Sequence, residues 1–288
     1  MYAITGITGK VGGSLARNLL SQGQRVRAVV RDASKGEEWA ALGCEVAVAQ
    51  MEDTAALTAA FSDVAAAFVL PPPIFDPSPG YPEMRRVIDA VAGALRAARP
   101  ERVLCLSTVG AQATQDSLLT QLSMMERKLS TLSCRVTFLR PAWFLDNAAW
   151  DVATARDSGV IHSFLMPADR RIPMVSTIDI ARVAADLIRQ ENPLHNIVEL
   201  EGPHRVSPND LAGAFARALH KPVRAEIVPR ETWEALFRSQ GMKNPGPRIR
   251  MIDGFNDGWI DFVAAGTDTF KGSVNLDEGI EALIRKGT

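Results

Sequence analysis

The stretch TGITGKVGGS, residues 5–14, decides the fold. An apolar strand signal, Tyr2–Thr5, runs into it. A helical stripe of Val11, Leu15 and Leu19 leaves it and stops at Gly23. Gly6, Gly9 and Gly12 stand in the turn between the two. Glycines there let the chain turn sharply, bring backbone N–H groups up to an anion, and let helix and strand approach closely. The helix N-terminus adds partial positive charge to the same place. The spacing is G-x-x-G-x-x-G rather than G-x-G-x-x-G, and either pattern alone fits any glycine-rich turn. Its position between an apolar strand and a helix, with further strand–helix units behind it, reads as the pyrophosphate site of a dinucleotide.

Outward from that turn the chain alternates strand and helix. Arg25–Arg31, Glu45–Ala49, Val64–Leu70, Val103–Ser107 and Val136–Arg140 carry strand signals. Ser34 with Glu37 makes a capping box for a short helix, and Asp53 caps one running to Phe61. A longer helix begins at Pro82, buries Val87, Val91 and Leu95, and is closed by Pro100. Ser117–Leu132 completes the series, while Pro71, Pro72 and Pro73 end the fourth strand because they cannot donate to a ladder. This alternation predicts an α/β fold, a doubly wound parallel Rossmann sheet. Beyond Asn147 the rhythm loosens. Thr177–Gln190 and Pro208–Leu219 remain capped helices and Ile197–Leu200 a strand. The stretch with Gly246, Gly254, Gly258, Gly266 and Gly272 reads as loop-rich. Residues 1–146 are expected to form the NADP(H)-binding Rossmann domain, with 174–201 returning to it. Residues 147–288 are expected to be mostly a smaller substrate-binding α/β region.

The tip of the second strand chooses between cofactors. A carboxylate there would hold the ribose 2′-hydroxyl of NAD, whereas an arginine accommodates the 2′-phosphate of NADP. The sequence reads VVRD at 29–32, with Arg31 at the tip and Lys35 nearby. A guanidinium grips phosphate at two points, so Arg31 favours NADP(H). Asp32 pulls the other way, and a solvated loop arginine is the plain alternative.

A net charge of −1 offers no electrostatic reason to expect nucleic acid or an anionic membrane surface. No apolar run approaches the roughly 18–20 residues that span a bilayer. With no leader-like segment at Met1, a cytoplasmic protein acting on a small molecule is expected. Cys44, Cys105 and Cys134 are odd in number and lie in apolar surroundings, which reads as reduced thiols. His162, His195, His204 and His220 are scattered without ligand or relay spacing. H-E-x-x-H, C-x-x-C and G-x-S-x-G are absent, so no metal site or nucleophile elbow is expected.

Taken together, TGITGKVGGS, VVRD, LPPP at 70–73, LSTVGAQ at 106–112 and FLRPAWFLDN at 138–147 resemble the NmrA-like branch of the atypical short-chain dehydrogenases. STIDIARV at 176–183 extends the resemblance, which fades over the last hundred residues. It implies that Gly6, Thr8, Gly9, Lys10, Val11 and Gly12 surround the pyrophosphate. Arg31 and Lys35 would meet the 2′-phosphate, and Met51 to Asp53 would lie near the adenine. Leu70, Pro71 and Pro72 would line the ribose and nicotinamide entrance. Ser107 and Thr108 would end the fifth strand beside the nicotinamide, with Lys128 behind them. Pro141, Ala142, Trp143 and Phe144 would close over the carboxamide.

Ketone-reducing members of the wider superfamily place a Tyr-x-x-x-Lys pair after the fifth strand, where Tyr protonates the alkoxide and Lys lowers its pKa. Here Tyr2 and Tyr81 both precede that strand, and the position four before Lys128 is Met124. Ser107, Thr108, Glu126 and Lys128 are the candidate substitutes. Ordinary turn residues and a solvated Glu126–Arg127 helix face are the plain alternatives. Without a strong acid the suitable acceptors are an iminium, which is already cationic, or a quinone or azo compound that takes its proton from water. Phe75, Trp143, Phe144, Trp150 and Phe164 can form a flat aromatic pocket or serve as core. The segment 71–82, PPPIFDPSPGYP, reads as a loop covering the nicotinamide or as a plain surface connection. The leading expectation is an NADPH-dependent reductase of planar electrophiles. The alternative is a non-catalytic NADP(H) redox sensor of NmrA type, with a homodimer or another protein as partner. A sugar-nucleotide epimerase ranks last for want of the tyrosine.

Overall fold

Side chains of the central strands alternate between two cores, and that alternation builds the molecule outward. In the computed structural model, which describes residues 1–191, 196–263 and 268–286, β1 (Tyr2–Ile4) leads through the glycine turn into α1 (Lys10–Ser21). Then come β2 (Val26–Val30), α2 (Glu37–Ala41), β3 (Glu45–Val48), α3 (Thr54–Phe61), β4 (Ala66–Val69), α4 (Pro82–Ala98) and β5 (Arg102–Leu106). The series continues with α5 (Thr120–Leu129), β6 (Arg135–Pro141), β7 (Trp143–Phe144), α6 (Val152–Ser158), β8 (Val160–Ser163), β9 (Met174–Val175) and α7 (Thr177–Arg189). The last elements are β10 (Ile197–Glu201), α8 (Pro208–Leu219), β11 (Arg224–Ile227), α9 (Trp233–Ser239), α10 (Gly246–Asp257), β12 (Asp268–Lys271) and α11 (Leu276–Lys286).

Eight strands form one parallel sheet in the order β12-β10-β6-β5-β4-β1-β2-β3. Successive residues of a strand point to opposite faces. Ile4, Phe68 and Leu104 therefore join α1 and α7 in one core, while Ala3, Val69 and Cys105 join α3, α4 and α5 in the other. The doubly wound parallel sheet is thus as expected from the alternating signals. A smaller lobe gathers α6, α8 and α11 around Leu145, Phe215 and Ile280, with β8 and β11 paired alongside. Trp233 and Phe237 of α9 close a fourth cluster with Ile249 and Ile252 of α10. No described helix is long and apolar enough to cross a membrane.

Several local expectations need correction. Ser34 and Glu37 make no capping box. Asp32 accepts the Ser34 N–H at 3.0 Å and opens a single 3-10 turn, Ala33–Gly36, because an aspartate two residues ahead reaches that amide directly. The helix expected over 117–132 is confined to α5, since Ser117 and Thr120 spend their hydroxyls on the turn before it. The stretch expected as loop-rich contains α9, α10, α11 and β12, and its glycines punctuate these elements. Gly258 ends α10 with φ +86°, where a side chain is strained. Cys44 and Cys105 are buried and Cys134 half-buried, all as free thiols. His195 and Gly266 lie outside the described residues.

The lobe contains one ionisable group at odds with its surroundings. Asp151, just before α6, is pushed up to about 6 by burial, which outweighs the N–H and charge of His162. A carboxyl that ionises less readily folded than unfolded costs stability wherever it must be charged. That cost is absent below its unfolded value of 3.8, grows as pH rises, and is complete above about 6. Asp151→Asn should therefore stabilise the protein by on the order of 2 kcal/mol at neutral pH. Urea unfolding should show the gain shrinking to nothing near pH 4; a gain independent of pH would contradict the assignment.

Candidate functional site

Parallel pairing sends the C-terminal ends of β1, β2, β4, β5 and β6 to one edge of the sheet, the edge where α/β folds bind ligands. Thr5 stitches two of these ends together. Its hydroxyl donates to the Phe68 carbonyl at 3.1 Å and accepts the Leu70 N–H at 2.8 Å. Gly6 then turns with φ +62°, under the Leu70 side chain. A Cβ on Gly12 would stand 2.4 Å from the Gly6 carbonyl oxygen, so only glycine lets α1 pass this close. Gly9 is the N-cap of α1 and supplies no side-chain cap. Thr8, Gly9 and Lys10 are exposed, Val11 is buried, and no acidic side chain occupies the first turn. Uncapped N–H groups at a glycine-lined helix start fit a pyrophosphate. Lys10 approaches Asp146 at 3.6 Å, and Asp146 in turn accepts the N–H and hydroxyl of Thr177 at 2.9 and 2.7 Å. This chain of contacts ties the glycine turn to the start of α7.

At the second strand tip Arg31 and Lys35 are exposed on the same turn. Asp32 is committed to that turn: the Ser34 amide and hydroxyl hold its carboxyl below the usual carboxylate range. Its acceptors are engaged locally, which leaves Arg31 as the extended polar group at the tip. Gln50 donates to the Arg31 carbonyl at 3.1 Å and fixes its backbone. Met51 packs its side chain on the α3–α4 core, and the Asp53 carboxylate accepts the Ala56 N–H at 3.0 Å as the cap of α3.

The ends of β5 and β6 carry a buried polar network. Ser107 donates its hydroxyl to Glu126. Arg140 on β6 reaches Glu126 with Nε at 2.9 Å and Nη2 at 2.6 Å, and Gln112 with Nη1 at 3.2 Å. Glu199, opposite it on β10, lies 3.7 Å away and accepts the Val263 N–H. Glu126 is therefore a buried partner, not part of a solvated helix face. Spacing alone marked Glu126 but missed Arg140, Gln112 and Glu199. The one signal for Arg140 and Glu199 was charge inside strands otherwise apolar, and neutral Gln112, on the turn after β5, carried none. Thr108 is half-buried with its hydroxyl on the Val109 carbonyl at 3.1 Å. Val109 donates to the Pro141 carbonyl at 2.9 Å, and Ala142 to Leu200 at 2.8 Å, which holds the 141–144 segment against the sheet.

Other candidates fall elsewhere. Lys128 faces α4 and pairs with Asp89 at 2.8 Å, while Met124 packs on the α3–α4 side. The inward face of α5 carries Glu126, and the residue four before it is Leu122. Tyr81 precedes α4 with its hydroxyl 2.6 Å from Asp116, and burial followed by that carboxylate pushes it up to about 12. The five aromatics do not form one wall. Trp143 meets Phe255 edge-on, Phe144 packs on the α1 core, and Phe164 meets Trp233 edge-on and Phe237 at a tilt. Phe75 and Trp150 are exposed. The proline-rich segment is fastened at both sides: Asp76 accepts the N–H groups of Lys243 and Asn244, and Gln121 donates to the Ile74 carbonyl at 3.1 Å. Two clefts open nearby. One of about 700 Å³ has Glu126, Arg127 and Arg140 in its wall. Another of about 420 Å³ lies between β9 and α8, and its Arg171, Arg205 and Arg217 are paired with Asp210, Asp261 and Asp277.

Known proteins agree with this architecture. The chain is 25% identical to an NAD(P)H azoreductase of Xenophilus azovorans over 84% of its own length and 82% of the relative's. It is 26% identical to quinone oxidoreductase 2 of Escherichia coli strain K12, over the same shares. The solved structure of an Escherichia coli NADPH-dependent quinone oxidoreductase complexed with NADPH superposes with a TM-score of 0.80. The match covers 98% of this chain and 99% of that one, at 22% identity. The Citrobacter sp. triphenylmethane reductase complexed with NADP(H) gives 0.78 over 98% and 100% of the two chains, at 20% identity. Residues 6–191 match the family model described as NAD(P)H-binding, and with its glycine turn and parallel sheet this chain belongs to the NAD(P)H-binding family.

Proposed function

We propose that the protein is an NADPH-dependent reductase that transfers hydride to a planar electrophilic small molecule: a quinone, imine or azo compound. The observation that carries the reading is the uncapped, glycine-lined start of α1 beside strand ends that present no strong acid. When bound, the reduced nicotinamide supplies the hydride. The amides at Gly9–Gly12 hold the pyrophosphate, Arg31 and Lys35 the 2′-phosphate, and the 141–144 segment covers the carboxamide side. Leu122 and Met124 have no proton to give, so the acceptor takes its proton from water once hydride has arrived. That order suits acceptors whose reduced anion is stabilised by conjugation, and an iminium needs no proton at all. The azo and quinone chemistry named for the two relatives points the same way.

Arg31→Ala should weaken NADPH binding about ten- to hundredfold, the worth of a charge-assisted phosphate contact, and leave NADH nearly untouched. Equal loss for both in a calorimetric titration would detach Arg31 from the 2′-phosphate. Gly9→Val should abolish binding of both, because its Cβ would start 3.3 Å from the Gly6 carbonyl and its branches would fill the anion's approach. Purified protein should oxidise NADPH, followed by loss of nicotinamide absorbance, with at least one member of a quinone, imine and azo panel. Failure with every member would overturn the reductase reading.

A further inference from the structure

The Ser107 network has a polarity that restricts what can bind beside it. A serine hydroxyl has one hydrogen and two lone pairs. Ser107 gives its hydrogen to Glu126, whose two oxygens are also gripped by Arg140. Arg140 has no freedom to release them, because its third nitrogen is held by Gln112 and Glu199. Arg140 and Glu126 stand in the wall of the larger cleft but are only 4% and 8% exposed, so little water reaches these bonds. The rotor is locked. Among the described residues nothing donates to Ser107 Oγ, and the residue is 7% exposed at the edge where β4, β5 and β6 end.

We propose that Ser107 meets the substrate as a hydrogen-bond acceptor only and is a specificity-determining residue, with Glu126 and Arg140 as positioning residues. It selects planar acceptors that carry a donor, a phenolic hydroxyl or an N–H, on the ring beside the group being reduced. The choice of acceptor rests on the reductase reading, but the polarity of the rotor does not. A lone pair facing a carbonyl or ether oxygen is repelled and leaves buried polar atoms unpaired, whereas a donor satisfies them. The arrangement also removes Ser107 from the set of proton donors, because its hydrogen is committed inward.

Glu126→Gln breaks the lock. Glu126 Oε1 accepts from both Ser107 Oγ and Arg140 Nε, and Oε2 from Arg140 Nη2, so a glutamine NH2 at either place meets an Arg140 donor. The bidentate grip is lost, and the Ser107 hydrogen no longer has one fixed address. The substitution also leaves Arg140 balanced by Glu199, so no buried charge is stranded.

The test is binding, not turnover. Para-hydroxyazobenzene and para-methoxyazobenzene are titrated into the full chain saturated with NADP+, which cannot reduce them, and dissociation constants are read from tryptophan quenching. The wild type should bind the hydroxyl ligand about fivefold more tightly, the worth of one neutral hydrogen bond. Ser107→Ala should erase the difference. Glu126→Gln should strengthen the methoxy ligand toward the affinity of the hydroxyl ligand, because a freed hydroxyl donates as well as accepts, a gain that loosened packing does not produce. Equal affinities in the wild type, binding of neither ligand, or loss of both alike in a folded Glu126→Gln protein would overturn the proposal. If Glu126→Gln fails to fold, the Ser107→Ala comparison decides. Should the wild-type preference hold while no panel member oxidises NADPH, the reductase reading alone falls.

Discussion

Where α1 leaves β1, backbone rests on backbone, and nothing larger than hydrogen fits between Gly12 and the Gly6 carbonyl. That contact sets the helix against the sheet. Leu15 and Leu19 then reach the core beneath, and Ile180, Ala184 and Ile188 of α7 pack into the same layer. It also aims the free N–H groups of the first turn at the sheet edge, where Lys10, Asp146 and Thr177 bind the turn to α7. A single steric requirement thus joins the packing of one face of the molecule to the presentation of uncapped N–H groups at the start of α1. Side-chain capping would serve the helix better and the site not at all.

Local chemistry made much of the fold readable. Asp53 caps α3 and Ser207 forms a complete capping box with Asp210 at the start of α8, so both helices begin where the sequence puts them. Pro71 to Pro73 end the fourth strand for the reason proline always ends one. The glycine turn was legible because its residues are contiguous and packing leaves little room beside its glycines. The network at Ser107 was not. Gln121, Ser123 and Glu126 of α5 are all buried, although hydrophobic periodicity assigns such polar positions to solvent. Lys128, which looked like an active-site group by its distance from Met124, turns outward as a result. The stretch beyond Leu219 was read as loop-rich because its helices are short, glycine-punctuated and packed in small separate cores, where no long apolar stripe is needed.

Glu126, Arg140 and Glu199 place two carboxylates around one guanidinium among apolar strands. Groups of this kind gain little net stability over hydrophobic replacements, since desolvation consumes most of the attraction. What they supply is direction. Arg140 divides its three nitrogens among α5, the 107–112 turn and β10, so three elements are held together at the sheet edge. Asp76 plays a comparable part outside, where its carboxylate secures the proline-rich segment to the turn between α9 and α10.

The pairing of β12 with β10 has a consequence for how the chain is made. Synthesis is vectorial, and β10 leaves the ribosome about seventy residues before the strand that covers its open side. Until then β10 offers a row of unpaired backbone donors and acceptors beside a core already collapsing around β6. The cofactor-binding edge therefore exists before the sheet is complete, and dinucleotide present during translation would meet a partly folded host. A ligand favours the native state only so far as it binds that state more tightly than the intermediate, so nucleotide that is held best by the finished edge pulls the chain toward completion by mass action.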